Sequence, residues 1–69
     1  MELHPVKSSN IKAIGYDREN EKLIVEFITG KKYVYSGVPP EVHEALMGAK
    51  SIGLYFGFNI RGKYGTEKV

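Results

Sequence analysis

The sequence predicts an α+β fold: a three-stranded antiparallel meander covered on one face by a C-terminal helical pair, in the order β-β-β-α-α. Three observations predict it. Apolar residues alternate with period two between Ile11 and Ser36, in runs separated by turn-forming residues, as half-buried strands require. The Pro39–Pro40 pair then ends the extended half, because each proline forces the residue before it out of helical geometry. Beyond it, Val42, Ala45, Leu46 and Ala49 recur at i, i+3, i+4 and i+7, which draws one apolar stripe on a helix.

The elements follow in order. Met1 to Pro5 reads as a loose lead-in and Val6 as the start of a short edge segment. Ser8-Ser9-Asn10 is turn chemistry, since these side chains bond nearby backbone; the alternative is a hydroxyl cluster that contacts a ligand. Ile11 to Asp17 is the first full strand, with Ile11, Ala13 and Gly15 on one face and Lys12, Ile14 and Tyr16 on the other. Gly15 marks a bulge or a close approach of another backbone. After the polar turn Asp17–Asn20, the second strand runs from Leu23 to Ile28, and its uniformly apolar set Leu23, Val25 and Phe27 is the expected core face. Thr29-Gly30 supplies the hairpin into the third strand, Lys31 to Ser36. There Tyr33 and Tyr35 share a face and Val34 takes the other.

Pro40 suits the first helical position, and Glu41 and Glu44 favour the positive end of the helix dipole. This helix is expected to reach about Ala49. Ser51 caps a second helix that buries Ile52, Tyr55, Phe56 and Ile60. Gly53 and Gly57 cost it about 1 kcal/mol each relative to Ala, which implies close contact with another backbone or an irregular helix. Arg61 to Tyr64 closes the domain. One domain over residues 5–64 is expected, with flexible ends at 1–4 and 65–69.

At 69 residues the chain has room for one small core and a stability margin of a few kcal/mol, not for a deep cleft beside it. A net charge of +2 permits polyanion binding without arguing for it. No cysteine is present, which excludes disulfides, thiol nucleophiles and cysteine zinc sites. No apolar run approaches the roughly 18 residues of a membrane span, and no signal-peptide core is seen. A cytoplasmic location without membrane association is the expectation.

The segments PVKSSNIKAIGYD, LIVEF, GKKYVYSGVP and SIGLYFGFNIRGKY, in that order and spacing, resemble the KTSC domain, a module named for the C-terminal end of some lysyl-tRNA synthetases and also found as a stand-alone bacterial protein. The resemblance runs from Pro5 to Tyr64 and rests on Ser8, Ser9, Tyr16, Gly30, Tyr33, Tyr35, Gly37, Val38, Pro39, Ser51, Gly53, Tyr55, Phe56, Ile60, Arg61 and Tyr64. It implies a small module with no established activity, for which the synthetase context suggests RNA. Leu54, Gly57 and Phe58 depart from the polar or basic residues the family pattern leads one to expect there.

For function, the sequence favours a non-catalytic binding module. Tyr33 and Tyr35, with Tyr16 on a neighbouring strand, are able to stack on bases of single-stranded RNA, while Lys31, Lys32, Arg61 and Lys63 hold phosphates and Tyr64 adds a contact. The plainer alternative is that the rings pack the core and that Lys31 and Lys32 guard a sheet edge against pairing. Leu54 and Phe58, at i and i+4 off the main apolar stripe of the second helix, suit a protein partner or a homo-oligomer if exposed; otherwise they widen the core. His4 and His43 lack partners at metal-ligand or triad spacing, and His43 falls just outside its helix stripe, on the expected solvent side. No catalytic residue, metal site or cofactor is predicted.

Overall fold

The structure, a computed structural model, describes residues 2–69. The elements are β1 (His4–Pro5), β2 (Ile11–Asp17), β3 (Lys22–Phe27), β4 (Lys32–Ser36), α1 (Pro40–Met47), α2 (Ile52–Asn59) and β5 (Gly65–Lys68). All five strands join one antiparallel sheet whose spatial order equals chain order. The class is α+β as the sequence predicts, but the sheet has five strands, not three.

The two unforeseen strands lie at the edges. His4 and Pro5 pair with Ile14 and Ala13, so the expected lead-in is partly strand, and Met1 lies outside the described residues. Gly65 to Lys68, expected to fray, pairs along β4 from Ser36 to Tyr33. All four of its residues are exposed, so it carries no apolar alternation to read; it is held by main-chain bonds to an edge that otherwise lacks partners.

The register sorts the sheet's two faces. Tyr16 lies opposite Leu23 and Ile14 opposite Val25, while Tyr35 and Tyr33 take the other sides of the same two β3 residues. Residues paired across antiparallel strands share a face, so these six residues, with Phe27 and Ile11, form one apolar surface. The sequence placed Ile11 and Ile14 on opposite faces. A register shift between Ile11 and Ala13 inserts an extra residue at Lys12 and returns both isoleucines to the core side. Ala13 and Gly15 face away, and there the chain's own start covers them: a Cβ on Gly15 would meet the Glu2 carbonyl oxygen at 2.5 Å.

Helices α1 and α2 close over the apolar face. Ile11, Ile14, Leu23, Val25, Val38, Leu46 and Ile60 are all buried to within 2%. Each such side chain contributes about 1.5–3 kcal/mol of burial. Helix α1 stops at Met47, shorter than predicted, and α2 begins at its expected cap, with Ser51 Oγ accepting from Leu54 N–H at 3.3 Å. Tyr16 fastens sheet to helix. Its hydroxyl donates to the Val38 carbonyl at 2.5 Å, and its ring stacks on His43 with centroids 4.5 Å apart and 8° between planes. His43 is therefore half-buried, not on the solvent side: the tyrosine ring covers the helix surface just beyond the apolar stripe.

Candidate functional site

The tyrosines do not lie on the open face of the sheet. Tyr16, Tyr33 and Tyr35 all belong to the helix-covered face. Around the last two the cover is incomplete. The end of α2 and the turn after it stop short of the β3–β4 hairpin, leaving a groove of about 630 Å³.

Four aromatic rings in edge-to-face contact make its floor. Tyr33 meets Phe27 at 5.9 Å, Phe27 meets Phe56 at 5.6 Å and Phe56 meets Tyr35 at 5.3 Å, with interplanar angles of 73°, 70° and 81°. Such geometry sets a ring's positive edge against its neighbour's negative face. Strand alternation aims Tyr33 and Tyr35 here, and Phe27 reaches them as the last residue of β3. The hairpin that follows is tied by Phe27 N–H to the Lys31 carbonyl (2.8 Å) and Gly30 N–H to the Phe27 carbonyl (2.8 Å), which brings Lys31 to the rim.

Arg61 supplies the second cation. Its backbone N–H returns to the Phe56 carbonyl at 2.9 Å, turning the chain off the helix beside the rings. Burial pushes the Tyr35 phenol above its usual value, and the Arg61 guanidinium acts against that rise. Ser9, Asn10, Thr29 and Thr66 add hydroxyl and amide groups to the walls. No carboxylate lines the groove, and Lys31 and Arg61 are its charged lining residues.

The residues singled out from sequence therefore separate. Tyr33, Tyr35 and Arg61 come together in the groove, though Tyr35 is 4% exposed and offers little beyond its edge. Lys32 does not join them, because it neighbours Tyr33 on the strand and so faces the opposite side, across from Glu26. Lys63 is exposed outside the groove, and Tyr64 packs half-buried against the core. Leu54 and Phe58 are 62% and 74% exposed, so they do not widen the core. Phe27 and Phe56 were legible only as core residues; that the cover ends beside them is a tertiary fact. The serine turn splits its two readings: Ser8 Oγ accepts from the N–H groups of Asn10 and Ile11, both at 3.3 Å, whereas Ser9 and Asn10 border the groove.

Among the described residues, no group of three or more His, Asp or Glu side chains is placed to hold a metal ion, and no helix is long and apolar enough to cross a membrane. A family model described as the KTSC domain matches residues 7–64. The chain belongs to the KTSC domain family. The crystal structure of a KTSC domain protein from Yersinia pestis agrees with this fold at a TM-score of 0.96 and 40% identity, covering 99% of this chain and 96% of that one. A protein of Stutzerimonas stutzeri is 47% identical over 51 residues, which are 74% of this chain and 72% of the relative. A lysine–tRNA ligase of Nostoc punctiforme is 38% identical over 63 residues, 91% of this chain but 11% of the ligase.

The KTSC motif residues now have visible work. Tyr16 and Val38 make the tie between sheet and helix, and Ser8 meets Gly53, where a Cβ would lie 3.3 Å from the serine hydroxyl. Tyr35 and Phe56 pack edge to face. Ser9, Tyr33 and Arg61 are the KTSC residues that line the groove with accessible surface.

Proposed function

We propose that this KTSC domain is a non-catalytic module that binds single-stranded RNA in the groove between the β3–β4 hairpin and the end of α2. The observation that carries the reading is one groove with an aromatic floor, two cations at its rim and no carboxylate. An unpaired base presents a flat apolar face and polar edges, and its phosphate is an anion; the groove offers a counterpart to each. Arg61 suits the phosphate through its planar fork of donors, and Lys31 as a point charge. The relationship to part of a lysine–tRNA ligase supports an RNA context. A cytoplasmic location accords with it.

Two-dimensional NMR of the labelled domain with a pool of single-stranded RNA tests this. Shifts at Tyr33, Lys31 and Arg61 that fade with salt are expected. Shifts confined to the Lys32 face, or none at saturating RNA, would exclude the groove as an RNA site.

A second reading has its own observation. Leu54 and Phe58 stand exposed on α2 with Gly57 beside them, a surface that suits a protein partner or a second copy of the chain.

A further inference from the structure

The groove differs from the open stacking platforms of sheet-based RNA readers, where successive exposed rings each take a base. Here four rings are present, but Tyr35 and Phe56 are each only 4% exposed, and the edge-to-face chain occupies the ring faces it links. Tyr33 and Phe27 are the rings with accessible area, and they sit against one another at 73°. Accessible ring area in the groove is thus confined to this one pair. The charges agree. Lys31 and Arg61 line the groove, whereas Lys32 and Lys63 do not. About 630 Å³ falls within the roughly 300–1,000 Å³ range of small-molecule pockets.

We propose that the groove receives a single nucleotide unit, its base against Tyr33 and its phosphate between Lys31 and Arg61, so that a free nucleoside monophosphate competes with RNA for it. This deepens the RNA reading above and rests on it. The wall groups Ser9, Asn10 and Thr29 then face the base edge or the ribose, where hydroxyl and amide groups find partners. Neutralising one phosphate has a defined salt signature: log K falls against log salt with a slope of about −0.7 for a single strand, whereas a track of four phosphates gives about −2.8.

The experiment titrates the labelled domain with adenosine 5′-monophosphate, with adenosine, and with an eight-nucleotide single-stranded RNA over a range of salt. The expected result is that the monophosphate and the RNA move the same Tyr33, Lys31 and Arg61 signals, that the monophosphate displaces the RNA one for one, and that the RNA slope lies near about −0.7. Adenosine binds more weakly than its monophosphate. Arg61→Gln, at an exposed position, weakens both phosphorylated ligands about tenfold or more, as loss of a charge-assisted hydrogen bond does, and Lys32→Gln leaves them unchanged. RNA that binds at the groove with a slope near −2.8 and resists displacement would overturn the single-nucleotide proposal and leave the RNA reading standing. Monophosphate binding without RNA binding would overturn the RNA reading and the competition built on it, and leave the groove a site for free nucleotides alone. If neither ligand moves a signal, both fall.

Discussion

The Tyr16 hydroxyl reaches from the sheet to donate a 2.5 Å hydrogen bond to the main-chain carbonyl of Val38. Val38 is wholly buried at the point where the chain leaves β4 for α1, so this bond pins the sheet-to-helix crossing. Tyr16→Phe keeps the ring and its stacking but leaves the Val38 carbonyl without that donor. A loss of about 1–2 kcal/mol is expected, read as a lower midpoint in urea denaturation with unchanged slope.

The His43 imidazole, stacked beneath Tyr16, titrates below its ordinary value of 6.5 because burial disfavours the charged ring. The nearby Glu44 opposes this shift and His4 adds to it. A base with a depressed folded pKa binds its proton more readily when unfolded. Its contribution to stability is therefore complete above pH 6.5 and is lost as the pH falls from there through the folded value. His43→Phe retains an aromatic partner for Tyr16 and removes the titration. Stability measured across that window should fall in the wild-type domain more than in the variant; identical profiles would count against the buried-imidazole account.

Two glycines on one helix should answer oppositely to the same change. A Cβ at Gly53 lies 3.3 Å from Ser8 Oγ, which is fixed by bonds from two backbone N–H groups, and 3.8 Å from Asn10 Nδ2. At Gly57 nothing lies within 4 Å. Gly57→Ala should therefore stabilise the domain by about 1 kcal/mol through helix propensity alone. Gly53→Ala gains the same propensity but displaces the Ser8 turn, and a net loss is expected. Thermal melts of the pair provide the comparison.

Phe58→Ala bears on the second surface. With 74% of its area exposed, the ring contributes little to the monomer, and stability should stay within about 0.5 kcal/mol. A change in sedimentation or in NMR linewidth in this variant, without a change in stability, would reveal a partner or a second copy at α2.

Strand periodicity, the proline pair and the helix stripe were enough to place β2, β3, β4, α1 and α2, because each encodes a buried face in local spacing. What escaped was of three kinds. β5 is made of exposed residues and is defined by the vacant edge of β4, which no local pattern reports. The bulge at Lys12 shifts the alternation by one, so strict alternation sets Ile14 and Tyr16 opposite Ile11, whereas all three share the core side. The groove depends on where α2 ends relative to the hairpin. Tyr33, Tyr35 and Arg61 could be named in advance, and strand alternation beside Tyr33 by itself sets Lys32 on the opposite face.

The coincidence of strand order with chain order has a kinetic consequence. The pairings from β1 through β4 each join neighbours across a short turn, so little chain entropy is lost in forming any of them. β5 is the exception: it returns to β4 only after residues 37–64 have passed through both helices. It closes the longest loop in the sheet, and all four of its residues are exposed. Amide hydrogen exchange should be graded accordingly, with Glu67 and Val69, whose N–H groups face β4, losing protection well before Val25 and Tyr35 in the β3–β4 ladder. The domain then opens from its last strand inward, and the β4 edge is bared first.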